Sequence, residues 1–248
     1  MKAKLEKEEL KAKLEKLEDK RLVDPSLEEW KKFAPSIARA VMRNAIEAVL
    51  KLDDEAKNMV LREAGLVSCE SFLENFGKGW QNVGTPAVAR SVLSGAFKGI
   101  CKLDEKNKET VVKAMAWACF ERGLGSYRHY GWEAAGIPLT AGSYDIDSAI
   151  ILLQKQLSLR KIRREGDTIL WEGCVAARYG KCSCCLVWAD ITEPVFELCQ
   201  CATWGIKTHL EYFTGIPMEN ELIETLNTGG KESCLFRVHL KPSKYATR

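Results

Sequence analysis

The spacing of hydrophobic positions divides the chain into a helical first part and a later part that contains strands. Before residue 157, apolar residues recur mainly at helical spacing, between Gly and Pro interruptions. From Arg160 onward, short runs with strand spacing appear, and in the last of them Cys234, Phe236, Val238 and Leu240 alternate with other residues. This order predicts an α+β fold in which an N-terminal helical bundle packs on a C-terminal antiparallel sheet with a cysteine-rich site.

Capping residues predict where the helices begin and end. Ser26, Asp53 and Asp104 are typical N-cap residues, and Gly65 and Gly123 are typical of helix ends. Pro35 is expected to split or kink its helix. The predicted helices cover approximately residues 1–22, 27–50, 53–62, 69–76, 86–102, 104–121, 146–157 and 203–213.

Two strand pairs are predicted after the helices. Runs at 160–165 and 168–172 are joined by Gly166-Asp167, which is a signal for a two-residue hairpin. Runs at 219–226 and 234–240 form a second pair around Gly229-Gly230. Alternation in the last strand places Cys234 on the same face as Phe236.

Three regions follow from these patterns. Residues 1–22 form an amphipathic helix with leucines along one stripe, expected to lie on the body of the protein or on a partner chain, as in a homo-oligomer. Residues 23–143 form a helical region. Residues 144–248 form an α+β cysteine-rich ligand-binding domain.

Composition and charge narrow the class of protein. The 248 residues are 46% hydrophobic, enough for a sizeable core, and the net charge of +3 does not favour nucleic acid. No apolar run approaches the roughly 18–20 residues that span a bilayer. The lysine-rich N-terminus does not resemble a signal peptide, so we expect a cytoplasmic protein whose thiols stay reduced.

The cysteines supply the strongest chemical signal. Seven of the ten lie in the last third of the chain, including a C-x-C-C group and a C-x-C pair. We expect Cys185 to enter the core and the C-x-C pair to lie just outside a helix that starts near Thr203. Cys101 and Cys119, among apolar neighbours, are interpreted as small core residues. The predicted metal ligands are Cys182, Cys184, Cys199, Cys201 and Cys234.

The metal expected from thiolate ligands is zinc, with an iron–sulfur cluster or redox-active thiols as alternatives. An open coordination position would support metal-assisted hydrolysis or a lyase step. Asp190, Glu172 or Glu224 would then act as general base. A closed site would instead indicate a non-catalytic ligand sensor with structural zinc.

A stretch rich in Gly and aromatic residues, 123–143, is predicted to form a hinge or the rim of a small-molecule pocket. Its candidate ligand-binding residues are Tyr127, Arg128, His129 and Trp132. The chain lacks a P-loop, a G-x-G-x-x-G fingerprint and a G-x-S-x-G motif, so neither nucleotide binding nor a serine hydrolase is supported.

The last part of the chain resembles a known family. The resemblance rests on the helix 146–157, the hairpin ending in Trp171-Glu172, the Cys182/Cys184 and Cys199/Cys201 pairs, the helix ending in Phe213-Thr214-Gly215, and the tail from Glu224 to Phe236. These elements are similar to the L-2-amino-thiazoline-4-carboxylic acid hydrolase-like family and, more distantly, to 4-vinyl-reductase-type hydrocarbon-binding domains.

The resemblance implies helices packed on an antiparallel sheet with a small-molecule pocket between them. In the sensor relatives, cysteines and an acid hold zinc beside the pocket, and Cys199 or Cys201 with Cys234 matches that motif best. A further cysteine of those relatives is absent here, where Leu226 stands. Cys182 and Cys184 would supply the missing ligands.

Overall fold

The computed structural model describes residues 7–16, 27–66, 86–129, 132–156, 161–172, 182, 184–225 and 234–240. The helices in these ranges are α1 (Lys7–Lys16), α2 (Leu27–Val49), α3 (Asp54–Ala64), α4 (Pro86–Cys101), α5 (Glu105–His129), α6 (Ile146–Gln156), α7 (Cys185–Trp188) and α8 (Phe196–Thr214). The strands are β1 (Lys161–Glu165), β2 (Thr168–Glu172), β3 (Glu219–Glu224) and β4 (Leu235–His239).

The predicted fold class is confirmed. Most of the helices precede the strands, and the four strands form one antiparallel sheet in the order β1-β2-β4-β3. The hairpin at Gly166 is present, since β1 pairs directly with β2 and Gly166 has a φ of 62°. The second predicted strand pair is β3 and β4. The turn between them lies outside the described residues.

Several predicted helix ends are confirmed by their caps. Asp53 precedes α3, and its carboxylate accepts a hydrogen bond from the Ala56 amide at 2.9 Å. Gly65 ends this helix with a φ of 67°, a left-handed conformation that glycine adopts without strain. Asp104 accepts a hydrogen bond from the Asn107 amide at 3.0 Å, at the start of α5. Ser26 and the helix predicted at 69–76 lie outside the described residues.

Two predicted helix boundaries are wrong. Gly123 and Gly125 do not end α5, which continues to His129. Glycine costs only about 1 kcal/mol inside a helix, and the fully buried Phe120 fixes this part of α5 in the core. Helix α8 begins at Phe196 rather than near Thr203. Pro35 lies inside α2, which runs through it without interruption.

The chain forms two compact units, and each combines segments that are distant in the sequence. Unit 1 contains residues 1–27, 120–183 and 202–248, and unit 2 contains residues 28–119 and 184–201. The predicted boundaries after residues 22 and 143 differ from this division. Helices α5 and α8 each contribute residues to both units.

Unit 1 is built on the buried face of the sheet. Trp171 lies opposite Phe236 in the register of β2 and β4, and Ile169 lies opposite Val238. All four side chains are buried in one hydrophobic core with residues of α1, α6 and α8. The alternating burial along β4 confirms the strand pattern predicted from the sequence.

The N-terminal helix α1 belongs to the core of unit 1. Leu10 and Leu14 are buried in this core. Lys13 donates a hydrogen bond from Nζ to the Gly136 carbonyl at 3.0 Å. The leucine stripe of α1 is therefore covered by its own chain, in agreement with the first of the two placements that the sequence allowed.

The regular elements in the described residues of unit 2 are helices, and α3 and α4 approach each other closely. Gly95 and Gly99 of α4 face the backbone of α3, where a side chain would collide with Val60 or Ala64. Across the described parts of the chain, no helix combines the length and the apolar character that a membrane span requires.

A buried tyrosine in unit 1 leads to a prediction for alkaline pH. The Tyr144 hydroxyl is fully buried and donates to the Pro138 carbonyl at 2.7 Å. Burial raises the pKa of Tyr144 above its ordinary value. The phenol therefore stays protonated in the folded state while it ionises in the unfolded state above about pH 10, so stability falls by up to about 1.4 kcal/mol per pH unit there.

We expect Tyr144→Phe to lower the free energy of unfolding by about 1 kcal/mol at neutral pH, through loss of the hydrogen bond. Above about pH 10 the difference from the parent should shrink, because phenylalanine has no proton to lose. Urea denaturation at a series of pH values measures both effects. A constant difference between the two proteins at every pH would contradict the prediction.

Candidate thiol site

Three cysteines of unit 2 interact directly, and a fourth lies within electrostatic range of them. The thiol of Cys185 forms side-chain hydrogen bonds with Cys119 and Cys184. Cys201 lies close enough to Cys119 and Cys184 for their charges to affect its ionisation. We call Cys119, Cys184, Cys185 and Cys201 the cysteine cluster. Its members come from three separate places in the sequence, namely α5, the start of α7 and α8.

The short helix α7 positions two of the four thiols. Cys184 is its N-cap residue, with extended backbone angles of φ −65° and ψ 130°, and Cys185 is its first helical residue. Backbone hydrogen bonds close the turn, from the Ala189 amide to the Cys185 carbonyl at 2.9 Å and from the Ile191 amide to the Leu186 carbonyl at 2.9 Å. Leu186 and Ile191 are buried and anchor this turn in unit 2.

The surroundings shift the pKa values of the two neighbouring thiols, Cys184 and Cys185, in opposite directions. The hydrogen bond from Cys185 lowers the pKa of Cys184, and the amides of Leu186 and Val187 lower it further, although no regular side-chain capping hydrogen bond forms. Hydrogen bonds to Cys119 and Cys184, together with burial, raise the pKa of Cys185. A negative sulfur is therefore stabilised at Cys184, while Cys185 retains its proton.

Burial is the main cause of the raised pKa at two further thiols of unit 2, Cys201 and Cys101. Burial raises the pKa of Cys201, and the negative charges of Cys119 and Cys184 raise it further. Cys101, at the end of α4, lies outside the cluster. Its pKa is raised to about 12 by burial and by the nearby Glu197 carboxylate. Cys101 is therefore an unreactive thiol that can serve as a control.

The structure brings together only some of the predicted metal ligands. Cys184 and Cys201 both belong to the cluster. Cys199 lies two residues before Cys201 inside α8, so the two side chains leave the helix in different directions. The Cys199 sulfur lies 4.0 Å from the Val195 carbonyl oxygen. The prediction that the C-x-C pair lies outside the helix, with its sulfurs free to converge, is wrong.

The other two predicted ligands belong to unit 1. Cys234 is buried in the unit 1 core together with Phe236, as the strand pattern predicted. Cys182 is half-buried. Their convergence with the thiols of unit 2 stays a prediction.

Sequence reasoning missed Cys119 as a site residue. It lies in α5, far from the other cluster members in the sequence, and its neighbours Ala116, Ala118 and Phe120 are buried. Cys119 itself is only partly buried, and it contacts Cys185. No local motif distinguishes it from the core residue that the sequence predicted. Cys185 is buried, as predicted, but it also takes part in the cluster.

The predicted pocket rim has a different structure. The last turn of α5 contains Tyr127, Arg128 and His129, which therefore do not form a Gly-bounded loop. The structure describes the backbone of these three residues and not their side chains. Trp132 is only 1% exposed and belongs to the unit 1 core. The loop interpretation of these four residues is therefore corrected to a helix end followed by a core tryptophan.

The predicted general bases occupy two different places. Asp190 follows α7 with a φ of 54°, and its exposed carboxylate lies 3.7 Å from Arg90. Glu172 and Glu224 belong to the sheet of unit 1, on either side of Leu235 in the strand register. Glu172 lies 3.7 Å from Arg163. Their roles as bases stay predictions.

Within the described ranges, no group of three or more His, Cys, Asp or Glu side chains is already arranged around a metal position. Within the cysteine cluster, Cys185 instead forms side-chain hydrogen bonds with Cys119 and Cys184. The fold and this cluster together define an α+β protein with a group of partly or fully buried cysteines. No family model, curated protein or solved structure matches the chain.

Proposed function

We propose that the cysteine cluster of unit 2 binds a thiophilic metal ion, and that zinc is that ion. The observation that supports this proposal is the interaction of Cys185 with Cys119 and Cys184, with Cys201 near enough for their charges to affect its pKa, although these residues come from three separate segments of the chain. Thiolate sulfurs are preferred ligands of zinc, and four of them complete its tetrahedral shell. The ligand set proposed here replaces Cys182, Cys199 and Cys234 of the sequence prediction with Cys119 and Cys185.

Metal binding requires a rearrangement of the cluster, because no three of its thiols are already placed around a metal position. Zinc–sulfur bonds of about 2.3 Å place the sulfurs of a tetrahedral site about 3.8 Å apart. Binding would replace the thiol protons of Cys119, Cys184 and Cys185 and bring their sulfurs to this separation. The amides of Leu186 and Val187, which favour a negative sulfur at Cys184, support the same arrangement.

The number of ligands favours a non-catalytic role. A zinc site with four protein ligands is closed, whereas a catalytic site keeps one position for water or substrate. Among the functions expected from the sequence, a small-molecule sensor with structural zinc therefore has the best support. Hydrolysis or lyase chemistry would require one cysteine to leave the metal. The small-molecule part of the proposal rests on the resemblance of the last part of the chain to ligand-binding families, because the loop predicted around Tyr127, Arg128 and His129 is the end of α5.

Metal analysis tests the proposal directly. Protein purified without oxygen should contain about one zinc ion per chain, and its cobalt-substituted form should absorb in the region typical of thiolate ligation. Cys119→Ser should lose most of the metal, because it removes one of four ligands. Cys101→Ser, at a partly buried thiol of the same unit outside the cluster, should retain the metal.

Two further variants separate this ligand set from the set predicted by sequence. Cys182→Ser and Cys234→Ser should leave the metal content unchanged. Loss of metal from both of these variants, with normal content in Cys119→Ser, would contradict the proposal. Visible absorption together with iron in the purified protein would indicate an iron–sulfur cluster instead of zinc.

A further inference from the structure

A second helical hairpin in unit 2 repeats the sequence pattern of the first. Residues 35–60 align with residues 86–111 without a gap, at a constant shift of 51 residues, and ten of the 26 aligned positions carry the same residue. The positions that recur are Pro35, Ala38, Arg39, Val41, Ala45, Lys51, Leu52, Asp53, Lys57 and Val60. The first segment covers most of α2 and the first part of α3, and the second covers α4 and the first part of α5. Self-similarity at a fixed shift is the sequence signature of a structural repeat.

The turn that joins the two helices has the same hydrogen bonds in both segments. At the end of α2, the amides of Lys51 and Leu52 each donate to the carbonyl three residues earlier, at 3.0 Å. At the end of α4, the equivalent amides of Lys102 and Leu103 do the same, at 3.1 and 3.2 Å. Both helices therefore end in a tight turn of the 3₁₀ type, directly before the aspartate that caps the next helix.

The first turn of the second helix is also equivalent in the two segments. An aspartate caps α3 and α5 at matching positions, and a lysine four residues later pairs with the acid at the first helical position. These pairs are Lys57 with Asp54 at 2.7 Å and Lys108 with Glu105 at 3.2 Å. Caps and ion pairs depend on local chemistry, so they do not by themselves distinguish a repeat from two similar helix starts.

The buried positions make that distinction. Three large apolar side chains of α2 are buried, and so are their equivalents in α4. The pairs are Met42 with Leu93, Ile46 with Phe97, and Val49 with Ile100, and none of the six is more than 3% exposed. In the helices that follow, Val60 of α3 and Val111 of α5 are both buried. Equivalent residues therefore have equivalent places in the core, in both helices of the hairpin.

We propose that the helical part of unit 2 is built from two copies of one repeat, and that the surface of α3 that receives α4 is the interface between them. Helices α2 and α3 form the first copy, and α4 and α5 form the second. Gly95 and Gly99 bring α4 onto the backbone of α3 at this interface. The two joining turns are also in contact, since the Asn107 side-chain amide donates to the Asp53 carboxylate at 3.4 Å. In repeat proteins, each copy is stabilised by such an interface with its neighbour. The proposal does not depend on a metal at the cysteine cluster.

Exchange of equivalent helices in the full-length protein tests the proposal. In the first variant, residues 86–101 are replaced by residues 35–50, except that Gly95 and Gly99 are retained because they contact α3. In the second variant, residues 35–50 are replaced by residues 86–101, with Asn44 and Ala48 retained at the matching positions. Each buried position then keeps its residue or receives the one from the equivalent buried position. Because cores tolerate exchanges that keep volume and pattern, we expect cooperative thermal unfolding by circular dichroism, with a midpoint within about 10 °C of the parent.

A matched control moves the donor segment by one residue. Residues 34–49 replace residues 86–101, and both glycines are again retained, so the change at the buried position 96 is Ala96→Asn. The apolar pattern then leaves the core face of the helix, and this variant should lose the cooperative transition. The proposal is supported if at least one of the two equivalent exchanges unfolds cooperatively and the control does not. It is overturned if neither equivalent exchange keeps the transition, or if the control keeps it as well.

Discussion

Gly95→Ala should lower the free energy of unfolding by about 3 kcal/mol, a large effect for the addition of one methyl group. An added Cβ at this position would lie 2.8 Å from the Ala64 Cα and would also collide with the Glu63 carbonyl. These atoms belong to the backbone of α3, so they cannot turn aside as a flexible side chain would. The gain in helix propensity from alanine, about 1 kcal/mol, is too small to offset the displacement of α3 from α4.

A matched glycine provides the control. Gly205 also lies inside a helix, but a Cβ there would meet no atom within 4 Å. Gly205→Ala should therefore stabilise the protein by about 0.5–1 kcal/mol. Urea denaturation of both variants measures the two effects. Similar small changes in both would show that α3 and α4 do not approach each other as closely as the structure indicates.

The sequence predicted those elements whose boundaries depend on local chemistry. Asp53 and Gly65 define α3 because a carboxylate satisfies the first amides and a glycine tolerates a left-handed ending. Gly166 similarly defines the hairpin between β1 and β2. These interactions lie within a few residues of one another, so a sequence pattern is sufficient to identify them.

Boundaries that depend on tertiary packing were not predictable in the same way. Helix α5 passes through Gly123 and Gly125 because packing outweighs the modest local cost of glycine. Helix α8 starts at Phe196, where the preceding Val195 has no side chain that could cap it. The sequence instead favoured Thr203, a residue that is typical of N-caps but lies inside the helix here.

The sequence predicted that the candidate site consists of thiols, but it identified only some of the cysteines that form it. Spacing identified Cys184 and Cys201 as thiols of interest. Helical geometry separates Cys199 from Cys201, and this follows only once the true start of α8 is known. Cys119 joins the site through the packing of α5 against α7 and α8, a long-range contact that a single sequence does not encode in any local motif.

Leu10→Ala should lower the free energy of unfolding by about 3 kcal/mol. The sequence left open whether α1 lies on its own chain or on a partner. In the structure, Leu10 is fully buried in the unit 1 core, and Leu14 is buried beside it. Truncation of Leu10 would leave a cavity between α1 and the rest of that core. The cost is lost hydrophobic burial plus the cavity itself.

Urea denaturation at several protein concentrations distinguishes the two placements of α1. If α1 packs on its own chain, the loss of stability in Leu10→Ala is independent of concentration, and sedimentation of the native protein is unchanged. Glu8→Ala, an exposed position on the same helix, should change stability by less than about 0.5 kcal/mol. If Leu10→Ala instead dissociates an oligomer while leaving the stability of the monomer intact, α1 packs on a partner chain and the placement of Leu10 in the core of unit 1 is wrong.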